Sequence, residues 1–310
     1  MPPLRRALRR LAVALARRTP GLRGVVAELQ TARRVFAIPP GHFYSPIPEP
    51  EDMSRDAGRL FEQWPRDLPG VSLNEDKQLT LLSDLSAYYA ELPFSEHKTK
   101  GRRYFFENPM YSYSDAICLY SMIRHVRPRR IVEVGSGHSS CVMLDTNELF
   151  FQNAIRCTFI DPYPERLLSL LAPEDKDRIE ILPSRVQDVD IARFRDLESN
   201  DILFIDSSHV VKVGSDVNYL VSEVLPALRV GVYVHFHDIF YPFEYPREWL
   251  ETGRYWTEGY LLRAFLAFNS AFEIVLFNTF LEHFHRDRFA AQMPLCLKNE
   301  GGSIWIRRIA

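Results

Sequence analysis

Cysteine is scarce in this chain. Four residues at 118, 141, 157 and 296 are spread over 310 positions, and no two form a CxxC pair. That spacing argues against a disulfide framework or a zinc knuckle. Three of the four fall inside apolar runs, where cysteine behaves as a small hydrophobe, and a reducing, cytoplasmic compartment is expected. Long hydrophobic runs are absent as well. None approaches the roughly 20 residues needed to span a bilayer, so a soluble chain is expected. The net charge is only −2, which removes bulk electrostatic attraction to nucleic acid, and no nucleic-acid partner is expected. There is no internal repeat and no low-complexity tract.

What charge there is lies unevenly. Residues 1–35 hold nine arginines against one glutamate, a balance of +8, so the remainder sits near −10. Leu4, Leu8, Leu11 and Leu15 share one helical face with arginines clustered beside it. Residues 1–38 therefore read as a basic amphipathic helical extension, of the kind that lies on a membrane surface or packs against a partner or another copy. No small-residue cleavage site follows, so a signal peptide is not expected. Residues 39–50 form a proline-stiffened connector with His42, Phe43 and Tyr44. Together with a helical pattern over 75–92, it belongs to a connector and cap spanning 39–110. The main domain is expected over 111–310.

A helical pattern over 114–126 ends at Pro128, and strands and helices then alternate. Short β-branched apolar runs at 131–135, 157–161, 179–183, 201–206 and 231–237 read as strands. Helical patterns at 142–151, 165–171 and 217–228 lie between them. Such alternation means a parallel sheet covered on both faces, an α/β fold. After a helix at 257–268, the runs at 272–278 and 303–307 show no helical crossover. They read as a hairpin-like antiparallel pair added to the sheet.

Open parallel sheets bind ligands beyond the carboxyl ends of their strands. The residues there carry the chemistry. Gly135, Ser136, Gly137 and His138 follow the first strand, where glycine lets a ligand approach the main chain and a helix N-terminus offers free N–H groups. Asp161 follows the second, and its carboxylate can accept both hydroxyls of a ribose. Asp188, after the third, could accept from an exocyclic amine such as that of adenine, or simply cap a helix. Asp206 and His209 follow the fourth; His237 and Asp238, preceded by His235, follow the fifth. A dinucleotide site would show a similar glycine turn and acid. Ser140 stands where its third glycine belongs, and the sheet closes on an antiparallel pair, so NAD and FAD are disfavoured.

The set Glu133-Val134-Gly135-Ser136-Gly137, Asp161, Asp188 and the terminal antiparallel strands resembles the class I S-adenosylmethionine-dependent methyltransferases, closest to the small-molecule O-methyltransferase-like branch. The resemblance covers roughly residues 110–310. It implies a Rossmann-like seven-stranded sheet of order 3-2-1-4-5-7-6, mostly parallel, with the last strand antiparallel. It also implies S-adenosyl-L-methionine as cofactor. Gly135, Ser136 and Gly137 would pass under the methionine moiety, and Glu133 would help hold its amino group through water. Asp161 would bind the ribose and Asp188 the adenine.

Metal-dependent members place an acid after the fourth strand and an acidic pair after the fifth. Asp206 and Asp238 match, while His237 stands where an acid is expected. Asp206, His237 and Asp238 are thus the candidate ligands of a divalent ion, which would lower the pKa of an acceptor hydroxyl. His209 and Asp206 are the candidate catalytic residues, His209 as general base. His235 reads as a satisfied sheet residue. The acceptor is expected to be a small molecule met by the 39–50 connector, the aromatic turn at 102–113, or residues 240–245. These aromatics serve equally well as packing between elements. Two other readings stand beside methyl transfer to a hydroxyl oxygen. One is a metal-dependent oxygenase or hydroxylase on the same scaffold; the other is a non-catalytic nucleotide-binding protein.

Overall fold

The structure is a computed structural model that describes Thr19, Gly24 and residues 38–310. The basic helix expected over 1–38 lies outside the described residues, Ile38 and those two positions excepted. The chain divides into two compact units, Met1–Gln63 and Trp64–Ala310. In the first, the described residues include short helices at Pro50–Arg55 and Ala57–Phe61, neither with a buried residue. No described helix is long and apolar enough to cross a membrane.

The second unit is built on seven strands: β1 (Arg130–Val134), β2 (Arg156–Ile160), β3 (Glu180–Leu182), β4 (Ile202–Ile205), β5 (Tyr233–His237), β6 (Phe272–Phe277) and β7 (Ser303–Arg308). Their order is β3-β2-β1-β4-β5-β7-β6. β7 pairs antiparallel with both neighbours, and the other pairings are parallel. β4 is buried at every position, which is why it reads as an unbroken apolar run rather than an alternating one. After β3 the chain returns across β1 to lay down β4. The loops leaving β1 and β4 therefore diverge and open a crevice at their carboxyl ends.

Two local readings need correction. β6 and β7 do pair, but they are not a hairpin: helices Asn278–Phe284 and Arg286–Gln292 and a turn at Pro294–Lys298 connect them. Phe280, Leu281 and Phe289 bury the inner face of this connection. Five charged or histidine residues from His283 to Arg288 break up its apolar pattern. The helix expected over 217–228 is one helical run with a wider π turn at Leu220–Val224 just before Pro226, a residue that cannot donate to the ladder.

The aromatic turn at 102–113 is mostly core. Tyr104, Phe106 and Tyr113 are buried, and Asn108 ties the turn by donating to the carbonyls of Phe105 and Tyr111. The same holds for Tyr241, Phe243 and Tyr245. Of these candidate acceptor-binding stretches, only Met110 and Tyr111 reach the crevice. The turn is anchored by Arg103, which is buried and ion-paired to Asp145 at 2.7 Å, Glu148 at 2.9 Å and Asp175 at 2.5 Å.

Candidate donor and metal site

Gly135 has φ +83°, and a Cβ there would lie 1.8 Å from the carbonyl oxygen of Asp206. The ends of β1 and β4 thus touch main chain to main chain, which only glycine permits. Two residues on, Gly137 opens the helix His138–Phe151, and its N–H donates to Ser140 Oγ at 3.0 Å. The serine in place of a third glycine therefore closes the turn through its own hydroxyl.

Glu133 points into the protein. It is fully buried and accepts from Ser139 and Ser140 at 2.5 Å each. Burial pushes its carboxyl up to about 8, against the pull of the two hydroxyls. Because it does not line the cleft, it stiffens the glycine turn from behind; the sequence placed it on the donor's amino group. Asp161 does face the cleft. Its Oδ2 accepts from Ser136 Oγ at 2.7 Å and its Oδ1 from the Tyr163 N–H at 2.8 Å, leaving lone pairs for a diol.

Asp188 does not face it. A three-residue turn, Val186–Asp188, carries it outward, and Arg185 holds it at 2.8 and 2.9 Å. That guanidinium lowers its carboxyl below the usual range. The wall at this point is Val186 and Gln187 instead. Gln187 bridges to the loop after β4 by donating to the Gly214 carbonyl at 2.9 Å.

Across the cleft, Asp206, His209 and Asp238 each offer a ligand atom within 4.8 Å of the others. His209 has φ +59° and Asp238 φ +56°, a left-handed backbone that non-glycine residues adopt at a cost and that clusters at functional sites. His209 Nε2 lies 3.3 Å from Asp206 Oδ1 and 3.7 Å from Asp238 Oδ2. Its Nδ1 meets Glu258 Oε2 at 2.9 Å. Trp256 stacks on the ring at 4.2 Å.

Burial alone would lower the His209 pKa, but hydrogen bonds to Asp206 and Glu258 outweigh it and raise the pKa well above the ordinary value. Both ring nitrogens thus face carboxylates, Nε2 toward Asp206 and Asp238 and Nδ1 toward Glu258. Burial would raise Asp206, yet the neighbouring His237 and His209 bring it down to about 2. At Asp238 burial prevails and the pKa is raised.

The expected ligand His237 lines the same cleft, its Nε2 3.5 Å from Asp238 Oδ1. As the last residue of β5, it lies against Tyr111 at 5.0 Å between ring centres. The left-handed turn at His209 swings a second imidazole in toward the same carboxylates. His235 is not a satisfied residue: it stacks on Phe204 at 4.0 Å, and neither ring nitrogen has a partner among the described residues. Burial holds it well below its usual pKa.

A divalent cation fits the donor set. Two carboxylates and one imidazole converge, and a third carboxylate backs the imidazole as in many metal sites. Non-haem iron oxygenases use two imidazoles and one carboxylate, whereas Asp206, His209 and Asp238 supply one imidazole and two carboxylates. The donor cradle and this trio line one cleft of about 770 Å³, within the range of small-molecule sites.

Residues 132–239, which run from β1 through β5, match the protein family described as Methyltransferase domain. The chain carries a methyltransferase domain. The methyltransferase is 37% identical over 173 residues to an uncharacterised protein of Archaeoglobus fulgidus, a match covering 53% of this chain and 76% of that one. Among solved structures it is similar to TomG of Streptomyces achromogenes, an O-methyltransferase involved in tomaymycin synthesis, in complex with S-adenosylmethionine. That match has 16% identity and a TM-score of 0.43, over 74% of this chain and 90% of that chain. It is also similar to the SAH-bound methyltransferase PaMTH1 of Podospora anserina, with 13% identity and a TM-score of 0.42, over 84% and 97%.

Sequence reasoning missed four residues of this methyltransferase's site: Gln187, Arg166, Trp256 and Glu258. Arg166 runs beside the glycine turn, its Cδ 3.2 Å from where a Gly137 Cβ would lie. Glu258 is 49 residues from His209 in the chain, and no local pattern connects them.

Proposed function

We propose that this methyltransferase transfers the methyl group of S-adenosylmethionine to a hydroxyl oxygen of a small molecule, with a divalent cation assisting. The observation that carries the reading is the shared cleft, with Ser136 and Asp161 on one wall and the Asp206–His209–Asp238 group on the other. Gly135 and Gly137 let the donor lie against the main chain, and Asp161 accepts its ribose hydroxyls. Val186 and Gln187 flank its base. A cation held by Asp206, His209 and Asp238 would lower the pKa of the acceptor hydroxyl. Trp256 and Met110 supply apolar surface beside it. In the transfer the oxygen–methyl bond forms as the sulfur–methyl bond breaks, the sulfonium becomes a neutral thioether, and the hydroxyl proton passes to water. The sulfonium is already activated, so alignment and exclusion of water are what the chain contributes.

Calorimetry with S-adenosylmethionine tests the donor half. Asp161→Ala removes the acceptor of both ribose hydroxyls, a loss of roughly 2–3 kcal/mol. Affinity should fall about 30–150-fold with the unfolding midpoint nearly unchanged. Equal affinity in the variant would sink the assignment. If chelation leaves methyl transfer at full rate, the cation plays no part in it.

A further inference from the structure

The segment Trp256-Thr257-Glu258 does more to His209 than packing requires. The N–H groups of Thr257 and Glu258 both donate to the His209 carbonyl, at 3.0 and 3.1 Å. Trp256 covers one ring face. Glu258, only 1% exposed, meets Nδ1 with Oε2 at 2.9 Å, and its Oε1 has no partner among the described residues. A fully buried carboxylate costs several kcal/mol in desolvation unless paired, and the only side chain shown bonding this one is the His209 ring. The main-chain clamp already fixes the loop. The carboxylate adds a single thing, the direction of the imidazole.

We infer that Glu258 is a positioning residue: by engaging Nδ1 it turns Nε2 of His209 toward Asp206 and Asp238, as the nitrogen donor of the site. The donor role rests on the cation-assisted reading above; the orientation of the ring does not. A carboxylate behind a ligating imidazole fixes which nitrogen faces the ion and makes that nitrogen more basic. An imidazole in the set also favours cations that accept nitrogen, such as Co²⁺ or Zn²⁺, over Mg²⁺, which prefers oxygen alone.

The full chain with Co²⁺ as probe, in Glu258→Ala, Glu258→Gln and His209→Ala, tests this. Every variant keeps the main-chain clamp, so a merely structural role for Glu258 predicts unchanged cobalt affinity. Positioning predicts a roughly 10–100-fold loss in Glu258→Ala, a change in the cobalt absorption spectrum, and partial rescue in Glu258→Gln, whose amide oxygen still accepts from Nδ1. Affinity for S-adenosylmethionine should stay the same throughout. Cobalt binding that fails in His209→Ala but is intact in Glu258→Ala overturns the proposal.

A metal-free measurement separates the two readings. In protein labelled with ¹⁵N-histidine, His209 should show a downfield Nδ1 proton bonded to a carboxylate, absent from Glu258→Ala. If that signal is present but wild type binds no cobalt, the cation reading falls and the positioning of the ring stands. If the signal persists in Glu258→Ala, the proposal falls.

Discussion

Gly135→Ala should destabilise the protein by more than about 4 kcal/mol, a size reserved for changes with a definite steric cause, and should abolish binding of S-adenosylmethionine. Two costs combine. The residue sits at φ +83°, and its new Cβ would lie 1.8 Å from the Asp206 carbonyl oxygen, where no rotamer change relieves the contact. The carboxyl ends of β1 and β4 must separate, breaking the Asp206 N–H bond to Val134, now 2.9 Å. That shift moves Asp206 and the donor cradle together. Gly137→Ala is the control. Its φ of 170° is extended backbone, and its Cβ would meet only Arg166 Cδ at 3.2 Å, part of a flexible side chain. A loss of about 1 kcal/mol is expected. Urea denaturation and calorimetry read both; similar losses for the two variants would refute the main-chain contact as the cause.

Arg103→Ala should cost about 3–5 kcal/mol, because removing one partner of a buried ion cluster strands the others. Asp145 and Asp175 are nearly inaccessible, and Arg103 reaches both as well as Glu148. The main-chain N–H groups of Arg103 and Tyr104 also donate to Asp145, so the variant loosens the turn that delivers Tyr111 to the cleft. Glu148→Gln, at a half-exposed partner, should cost under about 1 kcal/mol. Equal losses in chemical denaturation would mean that burial of the two aspartates is not what matters.

The donor side of the cleft was legible because it is local. A strand, a glycine turn and a helix are contiguous in residues 131–140, and the backbone freedom that the turn needs is written in residue type. Asp161 was legible by its place at a strand end. Asp188 shows the limit of that rule: a position one residue beyond the wall reads the same in sequence, and the turn at Val186–Asp188 alone turns it outward. The place of His209 beside Asp206 and Asp238 depended on a left-handed backbone and on Glu258, contributed by a separate helix.

By itself the sequence determined the parallel α/β sheet, its order through the family resemblance, and the glycine turn with Asp161. The sheet and the turn follow from short-range periodicity and residue type, and the strand order from the resemblance alone. Only the tertiary structure decided that Glu133 faces inward, that Gln187 replaces Asp188 in the wall, and that His209 joins Asp206 and Asp238 with Glu258 behind it. Each of those depends on which side chains from distant segments meet across the crevice, and chain spacing carries no record of that.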